Sequence, residues 1–285
     1  MRKRNIIRIV HAKNSGFCYG VKRAISLAEQ TAKSGGTNVY TLGPIIHNPQ
    51  VVAKLQKEGV KVVRDLDSLY KGECLVIRSH GIPLGFWEEM EKKKLKVIDA
   101  TCPFVKRAQN MVDKLYKDGY FVIIVGEKDH PEVVGLISYA KGNGVIIDSP
   151  AAVKKMKLPE KVGVVSQTTQ SVEQYEKITG EILKKNKNAK IFSTICLATS
   201  GRQKEAVAIA RKVEAMIIVG GRNSANTARL AQMCAKINKK TRHIETVDDL
   251  DEKMLRRSVR SVGIIGGAST PEWIIQGVID KIKQI

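Results

Sequence analysis

The chain has 285 residues, 43% of them apolar and 27% charged, which excludes a peptide, a disordered polymer and a collagen-like repeat and, on length alone, sets a prior of two domains. Lys and Arg number 49 against 28 Asp and Glu, a formal charge of +21. That excess suits an anionic partner (nucleic acid, an acidic protein or a phosphorylated small molecule) and equally a Lys-rich solvated surface. Aromatics make up only 5%, so cores must rest on Val, Ile, Leu and Ala, and no apolar run approaches the roughly 20 residues of a membrane span.

Met1-Arg2-Lys3-Arg4 begins as an export signal would, but Arg8 interrupts the short apolar stretch that follows, so a cytoplasmic protein is expected. Residues 6–10 read as a strand leading to Cys18. A helix with apolar residues at helical spacing starts there and stops at Gly35-Gly36; strand 39–43 and a polar loop, His47-Asn48, follow. A further helix leads to strand 75–81, tipped by His80, and strand 97–100 delivers Cys102. Pro103 marks the next helix entrance, followed by strand 120–126 and the loop His130-Pro131-Glu132. After another helix, strand 162–169 is tipped by Thr168, and strand 190–194 delivers Cys196. Helix 202–214, strand 215–219, the loop Ser224-Ala225-Asn226 and strand 262–270, tipped by Ser269, complete the order.

One pattern thus occurs three times. Cys18 to His47, Cys102 to His130 and Cys196 to Ser224 span 29, 28 and 28 residues. Strands alternating with helices predict α/β lobes with mainly parallel sheets, which present ligands at the carboxyl ends of strands. The expected architecture is three small, pseudo-threefold-related lobes over residues 18–101, 102–195 and 196–285, the third completed by the N-terminal strand within 1–17. The repeat overrides the two-domain prior.

Five cysteines, without a CxxC pair or an export signal, do not form a disulfide framework or a local zinc ribbon. A lone cysteine is more often a small buried hydrophobe than a ligand; three in register, each at a helix entrance that favours thiolate, reverse that preference. Zinc in a structural site takes a fourth protein ligand, whereas an iron–sulfur cube on three cysteines leaves one iron open as a Lewis acid. Cys74 and Cys234 have no counterparts in the repeat and are assigned to packing. His47, His80, Ser224, Asn226 and Ser269 are hydrogen-bond donors beside glycine turns and helix N-termini, a setting that suits an oxyanion-rich group such as diphosphate. Any one of them alone reads as a satisfied loop residue. Glu132, the one carboxylate among the tips, is the natural proton donor or relay, although a first-turn Glu also favours the helix dipole; Thr168 is suited to relay a proton or to orient a hydroxyl.

In this order, Gly16-Phe17-Cys18-Tyr19-Gly20-Val21, Gly43-Pro44-Ile45-Ile46-His47-Asn48, Arg78-Ser79-His80-Gly81, Asp99-Ala100-Thr101-Cys102-Pro103, His130-Pro131-Glu132-Val133, Gln167-Thr168-Thr169, Thr194-Ile195-Cys196, Asn223-Ser224-Ala225-Asn226-Thr227 and Gly267-Ala268-Ser269-Thr270-Pro271-Glu272 resemble the 4-hydroxy-3-methylbut-2-enyl diphosphate reductase family of the non-mevalonate isoprenoid pathway, over essentially the whole chain. The resemblance implies a central [4Fe–4S] cluster on Cys18, Cys102 and Cys196, its fourth iron taking the substrate hydroxyl. It implies diphosphate binding by His47, His80, Ser224, Asn226 and Ser269, with His130 close to the substrate, Thr168 near its hydroxyl-bearing carbon and Glu132 as proton source. Ala225 departs from family members with a second serine there, leaving only a backbone contact. The implied reaction is reductive removal of the allylic hydroxyl, with two electrons and two protons, giving isopentenyl and dimethylallyl diphosphate. Ferredoxin or flavodoxin is the implied electron donor, drawn to the basic chain. A monomer is expected, with neither nucleic acid nor membrane as partner.

Two rival readings remain at this level. A nucleic-acid-binding protein fits the charge, but the basic residues are dispersed and no strand carries interleaved aromatic rings. A zinc phosphohydrolase needs a fourth ligand that the repeat does not supply. Anaerobic purification with iron and sulfide analysis separates the three: the expected result is a brown, iron- and sulfide-containing protein with cluster-dependent reductase activity, whereas a colourless protein with steeply salt-dependent RNA or DNA binding favours the nucleic-acid reading.

Overall fold

A computed structural model describes residues 7–34 and 38–285. The export-signal-like start, the first residue of the expected 6–10 strand and the Gly35-Gly36 helix stop lie outside the described residues. The chain begins with β1 (Arg8–His11) and α1 (Tyr19–Lys33), then β2 (Val39–Leu42), α2 (Pro49–Lys57), β3 (Val60–Val63), β4 (Cys74–Ile77), α3 (Gly85–Lys92) and β5 (Lys96–Asp99). The order recurs through α4 (Pro103–Lys117), β6 (Phe121–Val125), α5 (Pro131–Ser138), β7 (Gly144–Ile147), α6 (Pro150–Lys155), β8 (Val162–Ser166), α7 (Val172–Lys185) and β9 (Lys190–Ile191). It recurs again through α8 (Leu197–Ala210), β10 (Ala215–Val219), α9 (Ala225–Ile237), β11 (Thr241–Ile244), a 3-10 turn at Val247–Asp249, α10 (Glu252–Ser258), β12 (Ser261–Gly266) and α11 (Glu272–Lys283).

Among the described residues the strands form three four-stranded sheets, ordered β3-β2-β4-β5, β7-β6-β8-β9 and β1-β12-β10-β11, with every pairing parallel. β1 lies beside β12 with Arg8 opposite Ser261 and His11 opposite Ile264. The protein is therefore α/β, as the alternation of elements predicts. The central strands are covered on both faces, which is why β6 and β10 read as unbroken apolar runs: Val122 to Val125 and Ala215 to Val219 are buried throughout. The core of the second sheet combines Ala108, Val112 and Leu115 of α4 with Val133 and Leu136 of α5. That of the third combines Ile274, Ile275 and Val278 of α11 with Ile217 and Ile264.

The edge strands β3, β7 and β11 were not expected. Each has partly exposed positions: β11 reads Thr-Arg-His-Ile, Lys61 interrupts β3, and β7 offers only the three apolar residues Val145-Ile146-Ile147, shorter than the runs that reveal the central strands. The helix after Cys196 begins at Leu197, five residues before the expected 202. Its buried stripe consists of Thr199, Arg202, Gln203, Ala206, Ile209 and Ala210, polar in its first half, so apolar periodicity cannot show the start. β8 and β12 end before the expected 169 and 270 because the chain turns out of the sheet, with Gln170 N–H donating to Gln167 O and Thr270 N–H to Gly267 O.

By compactness the chain divides into two units. One holds the third sheet with its helices, the N-terminal segment up to Tyr19 and the stretch His47–Val51; the other holds Gly20–Ile46 and Val52–Cys196 with the first two sheets. No helix among the described residues is long and apolar enough to cross a membrane.

Candidate active site

Each repeat cysteine immediately precedes a helix: Cys18 before α1, Cys102 as the N-cap of α4 with Pro103 at N1, and Cys196 before α8. Their backbone amides are spent in the same way. Cys18 N–H donates to Ala268 O (3.1 Å), Cys102 N–H to Ser79 O (3.0 Å) and Cys196 N–H to Thr168 O (2.9 Å). Each acceptor lies in the loop that follows a sheet's second long strand, at or next to a predicted polar tip. All three thiols are half-buried, and the unsatisfied N–H groups of a helix start favour anionic sulfur. Cys74 and Cys234 differ: both are buried, Cys234 among Leu230, Ile209 and Ile265. Burial pushes the Cys74 thiol up and the Cys234 thiol up to about 12. At Gly20, a Cβ would stand 2.9 Å from Cys102 Cβ and closer still to its sulfur, so only glycine lets α1 approach this cysteine.

The first polar tips, read from sequence as loops, are helix N-caps. Asn48 Oδ1 accepts from Val51 N–H (3.0 Å), His130 Nδ1 from Glu132 N–H (3.2 Å) and Ser224 Oγ from Thr227 N–H (3.4 Å). Asn-Pro, His-Pro and Ser-x-x-Thr carried the signal, a cap followed by proline or a capping spacing. In the unit containing the third sheet, Ser269 Oγ donates to Ser224 Oγ (3.4 Å) and to the main-chain oxygen of His47 (3.2 Å). Asn226, in the first turn of α9, is 5% exposed, yet neither its amide nitrogen nor its amide oxygen has a partner among the described residues. Leaving such a group unsatisfied costs about 1–3 kcal/mol, and a helix start carrying hydroxyls and an unengaged amide is suited to an anion. Ala225 opens the same turn and offers only backbone there.

In the other unit Glu132 is 1% exposed. Its carboxylate accepts from Thr168 N–H (2.5 Å) and from the Thr168 hydroxyl (2.8 Å). His130, accepting at Nδ1, carries its proton at Nε2 when neutral. Its ring stands edge-on to His80, with centroids 5.6 Å apart and planes at 78°. Thr168 therefore ties a buried acid to a cysteine: its N–H and O–H engage Glu132 while its carbonyl holds the amide of Cys196.

Two residues that sequence reading missed sit one helical turn apart on α8. Buried Arg202 donates through Nε to Asn14 O (2.8 Å) and through Nη2 to Gly16 O (2.7 Å). Glu205 accepts from the main-chain N–H groups of Lys13 (2.7 Å) and Asn14 (2.8 Å) and from the Asn14 side chain (2.8 Å). Together they grip the loop that delivers Cys18. No local signal could find them, because the partners are about 190 residues apart in sequence. His243, also unassigned from sequence, contacts Gly220 O through Nε2 (2.9 Å).

The fold is that of an α/β enzyme, carrying helix-entrance cysteines in both units, a buried acid in one and a helix start suited to an anion in the other. The model of the family described as LytB protein matches residues 9–283, and the chain belongs to that family, the 4-hydroxy-3-methylbut-2-enyl diphosphate reductases. The enzyme so named from Geobacter sulfurreducens is 48% identical over 278 residues, covering 98% of each chain. Its namesake from Aquifex aeolicus is 45% identical over 283 residues, covering 98% of this chain and 97% of that one. A solved (E)-4-hydroxy-3-methyl-but-2-enyl diphosphate reductase, described as the terminal enzyme of the non-mevalonate pathway, is 45% identical with a TM-score of 0.71 over 98% of this chain and all of its own. The E-1-hydroxy-2-methyl-but-2-enyl-4-diphosphate reductase of Plasmodium falciparum is 32% identical with a TM-score of 0.93, over 96% of this chain and 87% of that one.

Burial raises the Glu205 carboxyl, but the amides of Asn14 and Lys13 outweigh it and leave the group below the usual carboxylate range. A depressed folded-state value means that the stabilisation is present above the unfolded value and is lost as pH falls through the folded one. Glu205→Gln is expected to lower stability by about 1–2 kcal/mol near neutrality in urea denaturation, with the difference from the unaltered protein closing as pH falls below the carboxylate range.

Proposed function

We propose that this chain reductively removes the allylic hydroxyl of (E)-4-hydroxy-3-methylbut-2-enyl diphosphate, consuming two electrons and two protons and releasing water with isopentenyl or dimethylallyl diphosphate. Membership of the reductase family supports the overall reaction. The observation that carries the finer reading is the buried carboxyl of Glu132, closed against both the N–H and the O–H of Thr168.

Three half-buried thiols at helix starts, each with its amide anchored, fit an iron–sulfur centre by donor chemistry. Cys18, Cys102 and Cys196 are the proposed ligands, one from each of the repeats 18–101, 102–195 and 196–285 with 1–17. A [4Fe–4S] cluster so held would supply electrons singly and Lewis acidity toward the hydroxyl.

The protein's own residues do the rest. When Glu132 is protonated the Thr168 hydroxyl turns from donating to it to accepting from it; Glu132 then passes its proton to the Thr168 oxygen as the Thr168 hydroxyl hydrogen moves to the departing oxygen, so water leaves instead of hydroxide. Being almost fully buried, Glu132 is held near neutrality only if partnered or protonated, which suits a group that must alternate. Ser224, Ser269 and the side-chain amide of Asn226 hold the diphosphate at the start of α9, with the backbone of Ala225 in the same turn; His47, His80 and His130 add ring donors. Donors fixed in advance offset the cost of placing a diphosphate near an anionic centre. An acidic one-electron carrier, of ferredoxin or flavodoxin type, supplies the electrons.

Glu132→Gln removes the proton and little volume. Turnover is expected to fall about 10²–10⁴-fold with iron content and substrate affinity retained; a near-normal rate would reject the proton-donor role. Cys102→Ser is expected to lose iron and sulfide on analysis, while Cys234→Ser keeps both. Equal loss from the two would remove the distinction between ligand and packing cysteines.

A further inference from the structure

Beside the start of α4 lies a cavity of about 700 Å³, into which Arg23, Lys106, Arg107 and Lys114 project, with Asp99 the single carboxylate. Pro103, Arg107, Asn110 and Lys114 lie at i, i+4, i+7 and i+11, so one helical stripe forms its wall. Asp99 is already committed to Lys106 and to the amide of Thr101 (3.0 Å). Arg23 donates to the main-chain oxygens of Thr101 (3.3 Å) and Asp99 (3.2 Å), contacts that orient the guanidinium without cancelling its charge. Arg107 and Lys114 take no ion pair among the described residues. The positive end of α4 adds to the same field. Phe104, next in sequence to the lining residue Pro103 though not itself part of the lining, stands 39% exposed in the first turn of that helix, and an apolar side chain on the same helix as exposed cations is a combination found at protein interfaces. The cavity rim begins at Pro103, joined by a peptide bond to Cys102.

We propose that this basic cavity and Phe104 form the docking surface for an acidic, one-electron carrier protein. The inference rests on the reductase reading above, because that reaction needs two electrons from outside the chain. Each docking event oxidises one reduced carrier and passes one electron inward at the Cys102 end of α4; two events complete a turnover, and protons are supplied separately. A flat, solvated lysine face would lack the concavity, the unpaired cations on one stripe and the apolar anchor. Adjacency of the lining residue Pro103 to Cys102 places the attraction for an acidic carrier at the cysteine end of α4.

The test uses holoenzyme and two reductants, reduced ferredoxin and reduced methyl viologen. Arg107→Glu with Lys114→Glu is expected to raise KM for ferredoxin about tenfold and flatten its dependence on ionic strength, while viologen-driven turnover and iron content stay unchanged. The milder Arg107→Gln with Lys114→Gln is expected to give a smaller change of the same sign, and Phe104→Ser to raise the same KM without altering the salt dependence. An unchanged ferredoxin KM in all three overturns the proposal, as does an equal loss with both reductants. If the substitutions abolish binding of inorganic phosphate while leaving the ferredoxin KM untouched, the cavity is a small-anion site and the docking assignment fails. Absence of viologen-driven turnover in the unaltered holoenzyme would instead refute the reductase reading itself.

Discussion

The arrangement of the site depends on one repeated constraint: a cysteine's backbone N–H is committed to a carbonyl at the carboxyl end of a parallel strand. Ala268, Ser79 and Thr168 provide those carbonyls. Such a bond contributes only about 0.5–1.5 kcal/mol net, but it fixes where the following helix starts. It thereby places the thiol against N–H groups that the helix cannot satisfy internally. The sheet end, the helix start and the sulfur are consequently set together. A parallel sheet is suited to this task because its strand ends and helix starts fall on the same edge.

Thr168 shows how far one residue can be shared. Its carbonyl secures Cys196, and its N–H and hydroxyl close on Glu132. Movement at this position would disturb a thiol and a buried acid at once. The neighbouring turn is equally constrained: Gly126, which follows β6, has no room for a side chain, since a Cβ there would lie 2.7 Å from Val133 and 3.1 Å from Gln167. Thus the N-cap histidine, the acid seven residues beyond β6 and the threonine after β8 are held by packing as well as by hydrogen bonds.

Much of the fold was legible because parallel central strands are buried on both faces, and runs such as Phe121-Val122-Ile123-Ile124-Val125 have few other uses. The register of Cys18, Cys102 and Cys196 with polar tips was legible because each repeat spends nearly the same number of residues, 29, 28 and 28, between cysteine and tip. The edge strands were not, since half-exposed segments such as Thr241-Arg242-His243-Ile244 carry no period of two. Nor was the start of α8, where Thr199, Arg202 and Gln203 take positions that a periodicity search expects to be apolar. Glu132 could be singled out as the lone carboxylate among the tips, but its closure on Thr168, 36 residues away, exists only in the fold. Arg202 and Glu205 are the clearest case of a role written entirely in tertiary contacts.

The grip of α8 on residues 13–16, together with the pairing of β1 with β12, has a consequence for biogenesis. The loop bearing Cys18 leaves the ribosome early, but the helix and strand that fasten it are translated some two hundred residues later. A nascent polypeptide thus exposes its earliest thiol untethered through most of synthesis, and the loop that carries it can be fastened only once the carboxyl-terminal third has been made. Premature termination anywhere before β12 would strip Cys18 of its scaffold even though every residue up to that cysteine had been made correctly.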